Sequence, residues 1–167
     1  TRALSSAASD VYKRQVFMTL VQSLVAPEKM EWIVEKAVET GISAILLVPA
    51  ERSVTKLSGD RLAKRLSRLT DIARSAAEQC GRNVVPRISA APTLKSGLAE
   101  AEGEVRLMLA PGAEPRIPEA IRPGLRSAAF AVGPEGGFTS AEIELAAASG
   151  WTPMLLGPRV LRTDCLL

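Results

Sequence analysis

Two turns rich in glycine and proline contain the residues of this sequence that could do chemistry. The first turn spans 133–137, after the apolar run 127–132 and before Thr139, where a helical pattern begins. The second turn spans 156–162 and also follows an apolar run. Glycine allows a ligand to approach the main chain closely, because it has no side chain in the way. Both turns therefore indicate binding loops.

The residue inventory restricts what these loops could do. The chain contains no histidine, which excludes Ser-His-Asp and Cys-His nucleophilic catalysis and the common zinc and iron sites. Its two cysteines, Cys80 and Cys165, lack metal-ligand spacing, so we expect neither a metal site nor a disulfide scaffold. Neither turn matches a P-loop or the dinucleotide fingerprint. Any chemistry must rest on the remaining polar side chains, backbone dipoles or a cofactor.

The composition predicts one globular domain. The chain has 167 residues, of which 47% are hydrophobic and 23% charged, as in folded proteins. Residues 1–15 lack periodicity and are expected to be a non-native or disordered flank, so the domain is assigned to 16–167. No apolar run approaches the roughly 20 residues that cross a bilayer. We therefore expect no membrane association and a reducing cytoplasm as the location.

Helical patterns surround the loops. Thr139 and Glu142 are spaced to form a capping box, with Phe138 and Ile143 as a hydrophobic staple. A second helix is predicted over 27–40, with one apolar stripe formed by Met30, Ile33, Val34, Ala37 and Val38. A third is predicted from Gly59 to Cys80, capped by Ser58 and ended by Gly81.

Strand patterns alternate with these helices. They cover 16–24, 42–48, 83–88, 104–110, 127–132 and 152–156. This alternation predicts an α/β fold, a parallel sheet with helices on both faces. Ligands bind such sheets at the carboxyl ends of the strands. The turn after 109 and the turns 133–137 and 156–161 all occupy that position, so together they indicate a cofactor pocket.

Positive charge is concentrated in residues 52–82, which hold eight of the 21 Lys and Arg residues against three acidic residues. Four of these cations share one face of the third helix at i, i+3, i+4 and i+7: Arg61, Lys64, Arg65 and Arg68. Such a face is either a solvated helix surface or a contact for phosphates. Arg52 could likewise hold a phosphate or pair with Glu51.

Several motifs together resemble one family. Gly-Pro-Glu-Gly-Gly-Phe at 133–138 and Leu-Gly-Pro-Arg-Val-Leu-Arg-Thr at 156–163 look like the paired signature of the RsmE family, the 16S rRNA uridine-N3 methyltransferases of the SPOUT class. Upstream matches are Glu-Arg-Ser at 51–53 and Glu-Gln-Cys-Gly-Arg at 78–82. The resemblance covers about residues 19–164.

This resemblance implies a SPOUT-type sheet with a C-terminal trefoil knot, whose loops hold S-adenosyl-L-methionine. It implies a homodimer that acts on 16S rRNA or the small ribosomal subunit, without a metal. The cofactor-binding residues it implies are Leu109, Ala110, Pro111, Gly133, Pro134, Glu135, Gly136, Gly137, Leu156, Gly157, Arg159, Val160 and Leu161.

The resemblance also suggests roles in catalysis and RNA binding. The methyl group of the cofactor is already activated, so the protein must position it and manage the uridine N3 proton. Glu135 and Arg162 are the catalytic candidates. Glu135 could instead stabilise a helix N-terminus, and Arg162 could form a salt bridge within the knot. The residues assigned to RNA contact are Arg52, Arg61, Lys64, Arg65, Arg68, Gln79 and Arg82.

Two departures from the family pattern affect these expectations. Family members carry an N-terminal PUA-like domain, and they continue past Arg-Thr at 162–163 into a final helix in the knot and dimer interface. We expect this chain to be a fragment without either part, and loss of that helix would impair cofactor binding, dimerisation and activity. The alternatives are a non-catalytic, RNA-binding SPOUT-like fragment and a generic nucleotide-binding α/β domain.

Overall fold

The computed structural model describes residues 16–53, 59–110, 113, 121 and 123–155, which form six strands and four helices. In chain order these are β1 (Phe17–Ser23), α1 (Pro27–Glu39), β2 (Ala44–Val48), α2 (Gly59–Cys80), β3 (Arg87–Ala90), α3 (Leu94–Glu100), β4 (Val105–Leu109), β5 (Ser127–Val132), α4 (Ser140–Ala148) and β6 (Thr152–Met154). The predicted flank 1–15 and the Ser58 cap lie outside the described residues.

The six strands form one sheet in the order β3-β2-β1-β5-β4-β6. Every neighbouring pair is parallel, as the alternation of helices and strands predicts. β5 lies between β1 and β4, although β4 precedes it in the chain. The sheet therefore brings the ends of β1, β5, β4 and β6 side by side at one edge. The predicted knot involves residues after 155, outside the described part of the chain.

Helices cover both faces of the sheet. On one face α1 and α2 pack against Leu20, Ile45 and Val132. On the other face α3 and α4 pack against Val21 and Leu46. Successive strand residues point to opposite faces, and here both sets are apolar. The predicted α/β architecture is confirmed.

The local patterns predicted most boundaries closely. α1 begins at Pro27, its buried residues are the predicted stripe, and Gly41 follows it with φ +96°. β3 differs, since it begins at Arg87 and not at Asn83. Arg87 pairs with Ala44, the first residue of β2, so the residues before Arg87 have no β2 residue to pair with.

Candidate functional site

Three loops begin at the same edge of the sheet. Val132, Leu109 and Met154 end the neighbouring parallel strands β5, β4 and β6, so the chain leaves all three at the carboxyl edge. The amide of Ala110 continues the pairing with a 3.0 Å hydrogen bond to the carbonyl of Met154. Seven of the predicted site residues lie outside the described part. They are six cofactor-binding candidates, Pro111, Leu156, Gly157, Arg159, Val160 and Leu161, and the catalytic candidate Arg162.

The loop 133–137 is a compact turn that needs its glycines. Gly133 and Pro134 are buried, and the amide of Gly137 donates a 2.8 Å hydrogen bond to the carbonyl of Pro134. Gly137 has φ +68°, a conformation that side chains disfavour. A Cβ atom on Gly133 would lie 3.1 Å from the amide nitrogen of Phe138. The packing of the loop itself therefore requires small residues.

The helix after this loop begins as the sequence predicts. The hydroxyl of Thr139 accepts from the amide of Glu142 at 3.3 Å, and Oε2 of Glu142 accepts from the amide of Thr139 at 2.8 Å. Phe138 and Ile143 belong to the same apolar cluster, in agreement with the predicted staple. The capping box fixes the point at which the loop becomes helix α4.

A second segment braces this loop from across the sheet edge. The amide of Glu51 donates to Oε1 of Glu142 at 2.8 Å, and the hydroxyl of Thr139 donates to Oε2 of Glu51 at 3.1 Å. Arg52 Nη1 donates to the carbonyl of Gly136 at 2.7 Å. We call these contacts of Glu51, Arg52, Gly136, Thr139 and Glu142 the brace. They join the end of β2 to the loop after β5.

The catalytic candidate Glu135 lies exposed at the tip of this loop. Its Oε1 accepts a 3.0 Å hydrogen bond from Nζ of Lys29, and 38% of each side chain is exposed. Lys29 belongs to the first turn of α1, so this contact also connects α1 to the loop. Glu135 therefore has a cationic neighbour on α1 within hydrogen-bond distance.

The four predicted cations of α2 meet at a cleft of about 360 Å³. Two of them share one carboxylate, since Glu31 accepts from Arg65 and from Arg68 at 3.2 Å each. The hydrogen bond that Arg68 donates to Glu31 is the main cause that raises the pKa of Arg68 above its ordinary value. Arg61 and Lys64 are exposed, and neither forms an ion pair with another described residue.

Gln79 and Arg82 lie at or just past the carboxyl end of α2, far from Arg61, although Gln79 and Arg68 line a second cleft together. Gln79 is 18 residues after Arg61 on the same helix, which corresponds to about 27 Å at 1.5 Å per residue. The guanidinium of Arg82 donates to the carbonyls of Val38 and Ile42 at 2.8 and 3.0 Å. Arg82 thus binds the backbone at the end of α1, and the basic residues of 52–82 do not form one continuous patch.

Two buried polar atoms lie at the carboxyl end of β1. Oε1 of Gln22 and Oγ of Ser23 have no hydrogen-bond partner among the described residues, although both residues are fully buried. The amide group of Gln22 donates to the carbonyl of Ser23 at 3.0 Å. Gln22 pairs with Val132, the residue immediately before the loop 133–137. An unpaired buried acceptor is costly and is often found at a functional site.

Two kinds of feature are absent from the described residues. No group of three or more His, Cys, Asp or Glu there is arranged to hold a metal ion. In the same residues, none of the helices has the length and apolar character needed to cross a membrane.

Comparison with known proteins gives one consistent relationship. A family model for the RNA methyltransferase domain matches residues 13–165. Ribosomal RNA small subunit methyltransferase E of Bacillus subtilis is 33% identical over 159 residues, which cover 87% of this chain and 60% of that protein. The namesake from Mycobacterium bovis is 35% identical over 152 residues, covering 88% of this chain and 58% of its own length.

A solved structure agrees with these sequences. The Neisseria gonorrhoeae ribosomal RNA small subunit methyltransferase E, bound to S-adenosyl methionine, matches with a TM-score of 0.80 and 36% identity, covering 89% of this chain and 62% of that one. The present chain thus spans about three-fifths of the length of these relatives. The chain belongs to the RNA methyltransferase domain family, and within it to the RsmE family of SPOUT methyltransferases.

Proposed function

We propose that this chain is the methyltransferase domain of an enzyme that uses S-adenosyl-L-methionine to methylate a uridine N3 in 16S ribosomal RNA. The observation that carries the proposal is the common edge from which the loops after β5, β4 and β6 depart. It is the place where parallel sheets bind ligands. The relatives named above support small-subunit rRNA as the substrate, and the solved structure supports the cofactor.

The described part of this edge fits the adenosine portion of the cofactor. Gly133 and Pro134 are buried and follow β5, and Leu109 and Ala110 stand at the end of the neighbouring β4, so this part of the edge presents main chain and apolar atoms. Such a lining suits an uncharged base and ribose. Pro111, Gly136, Gly137 and the residues Leu156, Gly157, Arg159, Val160 and Leu161 would complete it.

When bound, the cofactor supplies an activated methyl group, so this chain has to orient the reactants and deal with the N3 proton. Glu135 is the candidate to accept that proton, and Arg162 is the candidate to stabilise the negative charge left on the base. The 3.0 Å contact with Lys29 holds the carboxylate of Glu135 at the loop after β5, and a general base has to be positioned close to the proton it accepts.

The RNA would approach over the α2 side of this edge. Arg61 and Lys64 are exposed cations near the amino end of α2, whereas Arg65 and Arg68 share Glu31. From the family resemblance we also propose that the protein is a homodimer. A non-catalytic RNA-binding domain is the second candidate function, favoured by the fact that Arg61 and Lys64 offer a cationic face whether or not the cofactor binds.

Methyl transfer to small ribosomal subunits tests the proposal. Subunits that lack N3-methyluridine are incubated with the protein and labelled S-adenosyl-L-methionine, and the modified nucleotide is mapped by mass spectrometry. One N3-methyluridine is expected in 16S rRNA. Cofactor binding without transfer to any RNA would reject the rRNA substrate, and RNA binding without cofactor binding would favour the second candidate function.

A further inference from the structure

One cleft of the molecule combines an apolar wall with a cationic rim. The wall comes from Leu24 and Val25, which follow β1, and from Pro27 and Met30 in the first turn of α1. The rim comes from the four cations of α2. The cleft holds about 360 Å³, which is within the range of small-ligand pockets. Its lining can therefore cover a flat apolar group and an anion at the same time.

The charges around the cleft are not equivalent. Glu31 engages Arg65 and Arg68, and the Arg65 side chain is only 17% exposed. Arg61 and Lys64 are exposed and have no ion-pair partner among the described residues. An entering anion would therefore meet Arg61 and Lys64 first. To reach the other two arginines it must compete with Glu31.

The cleft adjoins the candidate cofactor loop. β1, which leads into the apolar wall, is the hydrogen-bonded neighbour of β5, which leads into the loop. Lys29, between the wall residues Pro27 and Met30, reaches Glu135 in that loop. A ligand in the cleft would thus lie on the same sheet edge as the cofactor pocket, one strand away.

We propose that this cleft binds one unpaired nucleotide of the RNA, with the base against Pro27, the exposed residue of the apolar wall, and the adjoining phosphate on Arg61 and Lys64. The proposal rests on the function proposed above and specifies where the RNA is bound. A free phosphate would contact the cations of the cleft but not its apolar wall, and a flat basic helix surface would offer cations without such a wall. The contribution of the base therefore distinguishes the cleft from a merely basic face.

The experiment measures binding of two probes that carry the same charge, hexauridylate and an abasic ribose-phosphate hexamer, as a function of salt. The protein is unmodified or carries Arg61→Gln with Lys64→Gln. The matched control carries Arg74→Gln with Lys95→Gln, which also removes two exposed cations but none from the cleft. Titration of each protein with S-adenosyl-L-methionine runs in parallel.

We expect hexauridylate to bind the unmodified protein about fivefold more tightly than the abasic hexamer, the effect of covering roughly 40 Å² of apolar surface. The cleft variant should lose about 0.7 from the slope of log affinity against log salt, because it loses the one phosphate contact that Arg61 and Lys64 share. The control variant should retain the slope.

Equal binding of the two probes, no detectable binding of hexauridylate, or equal slopes for the cleft and control variants would each overturn the proposal. The cofactor titration tests the proposed function independently of the cleft. A protein that binds S-adenosyl-L-methionine but does not distinguish the probes retains its proposed function and loses the nucleotide cleft. A protein that distinguishes the probes without binding the cofactor retains the cleft and loses the methyltransferase function.

Discussion

The backbone amide of Glu51 donates a 2.8 Å hydrogen bond to Oε1 of Glu142, across 91 residues of sequence. The other oxygen of the same carboxylate caps helix α4 through the amide of Thr139. Glu142 therefore caps helix α4 with one carboxylate oxygen and, with the other, connects the segment after β2 to the candidate cofactor loop. Because Arg52 also binds the carbonyl of Gly136, movement of either segment would move the other.

Replacement of Glu142 tests the brace. Glu142→Ala removes the acceptor for both amides, so we expect the free energy of unfolding to fall by about 1–2 kcal/mol, as for loss of a helix cap. The loop should also hold the cofactor less well. Glu142→Gln should retain much of the stability, because glutamine also serves in a capping box. Denaturant unfolding and calorimetric titration with S-adenosyl-L-methionine measure the two effects. A Glu142→Ala variant with unchanged stability and unchanged cofactor affinity would contradict the role of the brace.

Arg52 was predicted to contact RNA, and the structure gives it a backbone partner in the loop. If its main role is to hold Gly136, Arg52→Ala should weaken cofactor binding about fivefold. Hydrogen bonds to charged groups typically contribute about 1.5–3 kcal/mol, and we expect a smaller loss here because Arg52 is exposed. The salt slope of RNA binding should then stay unchanged. A slope reduced by about 0.7 with normal cofactor affinity would instead favour a phosphate contact.

Glu31 is expected to limit the affinity of the basic face. Glu31→Gln removes the negative charge that Arg65 and Arg68 share, so RNA binding should become tighter and its salt dependence steeper. Stability should change by no more than about 1 kcal/mol, because the pairs are partly exposed. Filter binding at several salt concentrations provides the measurement. Weaker RNA binding in this variant would show that Glu31 organises the arginines for the RNA and does not compete with it.

The unpaired oxygen of Gln22 predicts an unusual result for a core substitution. Gln22→Met has similar volume, loses the bond to the carbonyl of Ser23 and removes a buried acceptor without a partner. These effects oppose each other, at about 1 kcal/mol and 1–3 kcal/mol. We expect the free energy of unfolding to be unchanged or to rise by up to about 2 kcal/mol. A fall of more than 2 kcal/mol would mean that Gln22 has a stabilising role that its contacts do not explain.

Local patterns predicted much of the fold. Pro27, the apolar stripe of α1 and the capping box of Thr139 and Glu142 all depend on residues within one or two helical turns. Such signals are readable in sequence, because their partners lie three or four positions away. The ends of β4, β5 and β6 were also readable to within two residues, which placed the three loops at one edge.

The missed features all depend on contacts between distant residues. No periodicity indicates that Glu51 would meet Glu142, that Arg82 would bind the carbonyls at the end of α1, or that Glu31 would engage Arg65 and Arg68. The first pairing depends on the sheet order, in which β5 lies beside β1, and the other two depend on the packing of α1 against α2. The Glu-Arg-Ser motif at 51–53 was the available signal for the brace, but the motif alone does not indicate which residues it contacts.

The location of the cofactor is the central claim, and amide chemical-shift mapping tests it most directly. The ¹⁵N-labelled protein is titrated with S-adenosyl-L-methionine while its assigned amide signals are followed. We predict that the shifts concentrate at Leu109, Ala110, Gly133, Gly136 and Gly137, with Arg74 and Lys95 unaffected. Shifts confined to the cleft between α1 and α2, or no saturable shift at all, would contradict the account.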